Sequence, residues 1–313
     1  LALLFPGQAS QAVGMGVELR ETNARARAIF ELADGVTGLP ITRLAAAGPL
    51  DALTATQVAQ PALLATSLAA LAVLREQLSG SLLVDAVAGH SVGELAACVA
   101  AGALDEEHAL RLVHVRAEAM AAACRSVEGT MLAVLGLEAP ALEAICEAAS
   151  GADGSVELAN LNAPGQLIIS GERRAAQRAA EQAKAAGARR VLPLNVGGPF
   201  HSVYMRPAAE PLREALSEAP PRAASVPLVA NASAEPIQQS HQLALELVDQ
   251  VCSPVRWSES LQRLWAMGCD RFLEVGPGNV LAGLVKRTLP EARVASFGAP
   301  SDLDAARGLL SPE

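Results

Sequence analysis

The sequence predicts an α/β protein, and three observations carry that prediction. Residues 1–5 form a short apolar run that stops at Pro6-Gly7, as a buried strand feeding a loop does. A second run, 82–88, is rich in leucine and valine and ends at Gly89, where a helical stretch begins almost at once. Strands and helices then alternate along the chain, the pattern of a sheet covered by helices.

Each element follows from its local pattern. Residues 25–34 and 60–78 show helical periodicity between the first two strands. Helices are expected at 92–101 and at 105–124, the latter opened by Asp105 as N-cap. The middle of the chain changes character. A strand at 131–137 is followed by a helix at 139–149, strands at 156–160 and 167–170, a helix at 173–186 and a strand at 190–194. That β-α-β-β-α-β order is the split unit of ferredoxin-like domains. It predicts a small inserted domain at 127–196, with 1–126 and 197–313 forming the large domain. The large domain resumes with a helix at 207–219, a strand at 226–230, a helix at 258–267 and a strand at 271–275. The stretch 217–225, with Pro220-Pro221, reads as a loop and not as a domain linker.

Composition narrows the function. With 313 residues the chain suits one large domain carrying an insertion, or two domains. Hydrophobic residues make up 51% but aromatics only 3%, so the core must rest on many small aliphatic contacts. No apolar run reaches the roughly 18 residues of a membrane span. The longest, 61–74, is interrupted by Thr66 and Ser67 and is expected to be a buried helix. No basic and apolar leader pattern is visible, so the expected location is the cytoplasm, with no membrane partner. The net charge of −9 argues against a nucleic-acid partner. Five cysteines without a close C-x-x-C pair read as free thiols of a reducing compartment. No set of His, Cys and acidic residues has ligand spacing, so no metal is expected. Gly276-Pro277-Gly278 lacks a phosphate-loop signature and is expected to shape a corner near the site.

The chemistry centres on Gly89-His90-Ser91-Val92-Gly93, a G-x-S-x-G motif between a predicted strand and a predicted helix. Its glycines permit a sharp turn that presents Ser91 at the positive end of a helix. The Val92 amide, in the first helical turn, is left free to hold an oxyanion. A serine hydroxyl needs a base. His90 should point away across the turn. His108 and His114 fall on what reads as a surface helix, and His241 in a polar stretch. His201 lies in the rigid Gly197-Gly198-Pro199-Phe200-His201-Ser202 loop, where it is either the base or a loop histidine making a structural hydrogen bond. Arg116, with Met120 one turn on, is either a surface cation or, given apolar Leu112, Val113 and Val115, a buried guanidinium that needs an anion.

Seven motifs occur in order: Phe5-Pro6-Gly7-Gln8, Gln60-Pro61-Ala62, Gly89 to Glu94, Arg116, Asn160 to Gln166 with Asn162 inside it, Pro199-Phe200-His201-Ser202 and Glu274 to Gly278. Together they resemble the malonyl-CoA:acyl carrier protein transacylases, over nearly the whole chain from Leu3 to about Leu289. The resemblance implies an α/β-hydrolase-like large domain with a ferredoxin-like insertion. It implies Ser91 as nucleophile, His201 as base, a Gln250 backbone carbonyl in place of a triad acid, and an oxyanion hole from the amides of Gln8 and Val92. It implies that Arg116 holds the free carboxylate of a malonyl group, with Met120, Phe200, Asn160 and Asn162 also at the substrate. Phe200 and Val92 match the pattern that favours malonyl over methylmalonyl. The implied partners are malonyl-CoA, as a substrate and not a cofactor, and an acyl carrier protein; a monomer is the default expectation. One departure stands out: the family usually has glycine after the Gln8 position, and here it is Ala9. If that position needs a positive φ, alanine carries a cost of the order of 1 kcal/mol.

Two rival readings share the motifs. A serine hydrolase would want an acid orienting its histidine and no buried arginine. An idle carrier-protein docking module would have been supported by the loss of Ser91, His201 or Arg116. The pathway stays open among fatty-acid synthesis, polyketide assembly and malonate decarboxylation. The basic pairs Lys286-Arg287 and Arg189-Arg190 read equally as solvated charge or as contacts for an acidic carrier or coenzyme A phosphates.

Overall fold

The computed structural model describes residues 1–78 and 82–311. Among the described residues, ten strands form two sheets. In chain order they are β1 Ala2–Phe5, β2 Ala86–Gly89, β3 Gly129–Leu135, β4 Val156–Ala163, β5 Gln166–Glu172, β6 Arg190–Pro193, β7 Leu228–Val229, β8 Pro236–Ile237, β9 Arg271–Val275 and β10 Arg293–Phe297. The larger sheet runs β10-β9-β1-β2-β7-β8 and is parallel except for the terminal β7–β8 pair. β1 and β2 are buried along their whole length, as central strands of a sheet covered on both faces must be.

Alternation along β1 divides the core in two. Leu3 and Phe5 pack with Val87 and Leu273 against the helices Ala24–Thr37, Thr56–Gln77 and Glu106–Cys124. Ala2 and Leu4 face the other way with Ala86, Ala88 and Phe272, onto Trp257, Leu261 and Leu284. The small alanines of β2 leave the room that the Trp257 indole occupies.

The smaller sheet runs β4-β5-β3-β6 and is antiparallel throughout. With the helices Ala139–Ala149 and Arg173–Ala185 on one face it has the β-α-β-β-α-β order read from the sequence. Val134, Leu167 and Ile169 point to those helices, while Met131, Ala133 and Ile168 point to the large sheet and roof a cavity. Leu158 also faces the helices, yet Asn160, two residues on, faces the cavity. A register shift between Leu158 and Asn160 accounts for the change of face, because one extra residue reverses the alternation.

Several expectations need correction. The strand expected at 82–88 begins at Ala86, since Leu83 is 79% exposed and Asp85 precedes the buried run. The helix Glu106–Cys124 is not a surface helix. It packs between Thr56–Gln77 and Arg206–Glu218, and its His108 and His114 are half-buried. His241 lies in the helix Ser240–Asp249, one of several short elements that the sequence pattern did not reveal; β8 and β10 are others. Thr56–Gln77 is, by length and composition, apolar enough to cross a membrane, which counting strictly apolar runs missed. It is nonetheless a core helix, with 89% of its most apolar stretch inside the domain.

Candidate active site

Ser91 stands at the C-terminal edge of the central strand β2. The turn there is forced into shape by contact. A Cβ on Gly89 would fall 2.1 Å from the backbone of Gly93, and one on Gly93 would fall 2.2 Å from the Phe5 carbonyl oxygen. No side chain fits either place, so strand, turn and helix close on each other, and Ser91 takes a left-handed backbone with φ 53°. Such strain persists only when the surroundings hold it. Here the Asn231 side chain does so: its Oδ1 accepts the Ser91 N–H at 2.7 Å and its Nδ2 donates to the Gly89 carbonyl at 2.6 Å.

His201 arrives on the loop after the small sheet, also with a positive φ of 57°. Ser202 Oγ donates to the Pro199 carbonyl at 2.6 Å and ties the loop. The imidazole bridges two elements. Its Nε2 lies 2.7 Å from Ser91 Oγ, and its Nδ1 lies 2.9 Å from the Gln250 carbonyl and 3.1 Å from that of Ser253. Carbonyls only accept, so Nδ1 carries the hydrogen and Nε2 offers its lone pair to the hydroxyl. Burial, then the Arg116 cation, hold the imidazole's proton affinity far below its usual value, at about 3, against the pull of the two carbonyls. At neutral pH His201 is therefore an unprotonated acceptor.

Arg116 is buried, at 2% exposure. Its Nη2 donates to Ser91 Oγ and to Gln250 Oε1, both at 3.1 Å, and its Nη1 to Gln60 Oε1 at 2.5 Å. Burial lowers its proton affinity to about 10, opposed by the Glu94 charge, so it stays cationic. No carboxylate lies within ion-pair distance of it among the described residues, and its Nε has no partner. Of the two sequence readings of Arg116, the structure shows the buried guanidinium.

A cavity of about 240 Å³ opens over Ser91 and His201. Gln8, Phe200, Asn160 and Asn162 line it, so the structure brings these residues together with the serine and the histidine. His90 does point away from the hydroxyl: its Nε2 is 2.9 Å from Asn162 Oδ1 and its ring stands edge-on to Trp257. Met120 does not line the cavity. It lies beneath Gln60, whose Nε2 reaches its sulfur at 3.5 Å. The Gly276-Pro277-Gly278 turn borders a wider cleft of about 620 Å³ behind the Gln8 loop, which holds neither Ser91 nor His201. Among the described residues no group of three or more His, Cys, Asp or Glu is placed to hold a metal ion.

The loop that carries Gln8 crosses directly over the serine turn, since a Cβ on Gly7 would fall 2.5 Å from the His90 carbonyl oxygen. Among the described residues, the amides of Gln8 and Val92 have no hydrogen-bond acceptor. Ala9 follows with φ 78°, the conformation that favours glycine, and its side chain is exposed. Ala9→Gly should relieve about 1 kcal/mol of strain, partly offset by the greater freedom of glycine in the unfolded chain. The expected result is a melting temperature raised by about 1–2 °C. A fall in thermal unfolding temperature would show that Ala9 is not strained.

Sequence reasoning missed Asn231, Ser253 and the side chains of Gln60 and Glu94. Asn231 had one available signal: it lies two residues beyond a strand of the parallel sheet, at the edge where α/β proteins assemble their sites.

A hydroxyl that faces an unprotonated imidazole, beside free amides and a buried cation, can take an acyl group from an activated carbonyl and pass it on. That chemistry on this fold defines the protein's class as an acyl transferase. Residues 2–302 match the family model described as acyl transferase domain. The malonyl CoA-acyl carrier protein transacylase of Bacillus subtilis (strain 168) is 42% identical over 313 residues, covering 100% of this chain and 98% of that protein. The crystal structure of an acyl-carrier-protein S-malonyltransferase from Bartonella henselae superposes with a TM-score of 0.94 at 40% identity, covering 99% of this chain and 98% of that one. A malonyl-transacylase solved in complex with a type II PKS acyl-carrier protein gives 0.93 at 36% identity, over 97% and 98%. The chain belongs to the malonyl CoA-acyl carrier protein transacylase family.

Proposed function

We propose that this enzyme transfers a malonyl group from malonyl-CoA to the phosphopantetheine thiol of an acyl carrier protein, through a malonyl ester on Ser91. The observation that carries the reading is Arg116: a buried cation, without a carboxylate partner among the described residues, 3.1 Å from the Ser91 hydroxyl. A malonyl thioester brings both groups this site lacks, an electrophilic carbonyl for Ser91 and a free carboxylate for the guanidinium fork.

In the first half-reaction His201 Nε2 accepts the Ser91 proton as Oγ attacks the thioester carbonyl. The amides of Gln8 and Val92 hold the resulting oxyanion. The carbon–sulfur bond breaks, and the departing thiolate takes the proton from His201. In the second half the carrier thiol loses its proton to His201 and attacks the ester, and Ser91 leaves as the hydroxyl. The carbonyls of Gln250 and Ser253 keep the imidazole in the required tautomer, a task an acid performs in many serine hydrolases. Phe200, buried at the cavity wall, crowds the acyl α-carbon and favours malonyl over branched groups. Asn160 and Asn162 face the thioester arm, and Met120 supports the site through Gln60. Residues 127–196 form the inserted domain, and the enzyme is a cytoplasmic monomer that needs no cofactor; its free cysteines suit a reducing compartment.

Incubation with malonyl-CoA alone, followed by intact mass and peptide mapping, tests this. One malonyl adduct on the Ser91 peptide, far weaker with acetyl-CoA, is the expected result. Continuous release of coenzyme A without an adduct would favour a hydrolase, and neither release nor adduct would end the assignment.

A further inference from the structure

Glu94 is a carboxylate with no exposed surface, three residues beyond Ser91 and in the first turn of the helix Gly93–Ala100. Among the described residues, each hydrogen bond its carboxylate makes is with a donor. Its Oε1 accepts from the Asn231 backbone N–H at 3.0 Å and from Asn231 Nδ2 at 2.8 Å, and its Oε2 accepts from Gln250 Nε2 at 2.9 Å. Asn231 in turn holds the Ser91 turn, and the Gln250 side chain accepts from Arg116. We propose that Glu94 is a positioning residue which, through the Gln250 side chain, holds Arg116 in the orientation that selects a carboxylate-bearing acyl group.

Donors and acceptors fix the orientation of the Gln250 amide. Arg116 only donates, so the Gln250 amide must turn its oxygen to the guanidinium. Glu94 accepts, so the same amide must turn its NH2 to the carboxylate. The two demands agree, and the amide has one satisfactory orientation. Gln250 Nε2 also reaches the Ser91 carbonyl at 3.2 Å, which links the same amide to the serine turn. The buried cation and the buried carboxylate are thus joined at one amide's remove. A direct pair would occupy the guanidinium fork; the interposed amide leaves part of it for a substrate. Burial first, then the charge of Glu246, raises the proton affinity of Glu94 well above the usual carboxylate range, against the pull of the Asn231 and Gln250 donors; the Glu94 charge in turn raises that of Arg116, so the two groups are electrically linked.

Glu94→Gln tests the link with almost no change of shape. Two donors of Asn231 keep the new carboxamide oxygen on their side, so its NH2 faces Gln250 Nε2, donor against donor. Gln250 must then turn, and its NH2 meets Arg116. The damage falls on carboxylate selection, so the readout is the ratio of kcat/KM for loading from malonyl-CoA to that from acetyl-CoA. General loosening would lower both together. The inference rests on the malonyl reading above. In the full-length enzyme, Glu94→Gln should lower the ratio about 30-fold, the scale of one charge-assisted hydrogen bond. Gln250→Met, which keeps the backbone carbonyl used by His201, should lower it similarly, and the double variant no further, because both act along one path. An unchanged ratio in Glu94→Gln, or losses that multiply in the double variant, would overturn the inference while leaving the malonyl reading intact. If Glu94→Gln does not fold, as judged by circular dichroism, Gln250→Met decides: a lowered ratio supports the link and a wild-type ratio overturns it. A wild-type enzyme that forms no malonyl adduct overturns the functional reading, and this inference with it.

Discussion

His201→Ala should slow malonyl loading by about 10⁴-fold or more, the scale expected when a hydroxyl nucleophile loses its base. Among the described residues His201 Nε2 is the only unprotonated nitrogen on the Ser91 hydroxyl, at 2.7 Å, and the other group there, Arg116, donates and cannot take a proton. Ser91→Ala should cost as much, and the double variant no more than either, because the two act as a unit. Rapid-quench measurement of coenzyme A release reads all three, and a His201→Ala enzyme within tenfold of wild type would remove His201 from the mechanism. The pH profile adds a second check. With the proton affinity of His201 held at about 3, kcat/KM should stay level as pH falls from 8 through 6.5 and decline only well below that. An acid limb centred at 6.5 would mean an ordinary imidazole. The same shift has a stability consequence of defined sign. The unfolded chain binds a proton near 6.5 that the folded one refuses until about 3, so this contribution is complete above 6.5 and is lost as pH falls toward 3.

Arg116→Ala should lower malonyl loading by about 10²-fold or more, the scale of breaking a buried ion pair on one side, and should leave acetyl loading unchanged or faster. Wild-type enzyme pays a penalty with acetyl-CoA because the guanidinium stays desolvated and unpaired; alanine removes that penalty. The preference ratio from competition between the two thioesters, read by mass of the acylated Ser91 peptide, measures the effect. Equal losses for both thioesters would mean that Arg116 serves only to support the serine. Loss of the cation also removes the main charge that depresses His201, so the acid limb of the pH profile should move upward in Arg116→Ala. Movement in the other direction would contradict the electrostatic account of the site.

Much of the fold was legible because hydrophobic patterning is local. The β-α-β-β-α-β run needed only period and punctuation, and the helix Ala139–Ala149 and strand Arg271–Val275 have the expected bounds. The serine turn was legible because its glycines are steric requirements of a motif five residues long. The short outer elements were not. Ile41–Ala47, Leu50–Thr54 and β10 are too brief to show a period, and their partners are distant in sequence. The burial of the helix Glu106–Cys124 was misread for a related reason: the helices that cover it, Thr56–Gln77 and Arg206–Glu218, are distant in sequence.

The sequence by itself determined the class of fold, the serine at the end of a buried strand and, through its ordered motifs, several of the residues that the fold gathers around Ser91. These are properties of short stretches whose steric and apolar patterns act within a few residues. Only the tertiary structure decided how the site is wired. Asn231 and Gln250 lie 140 and 159 residues from Ser91, yet their amides set its backbone. Arg116 became a buried cation, and His201 an unprotonated acceptor, because packing removed water from both and set one beside the other. Desolvation and the match of donors to acceptors depend on what the fold brings together, and no local pattern carries that information.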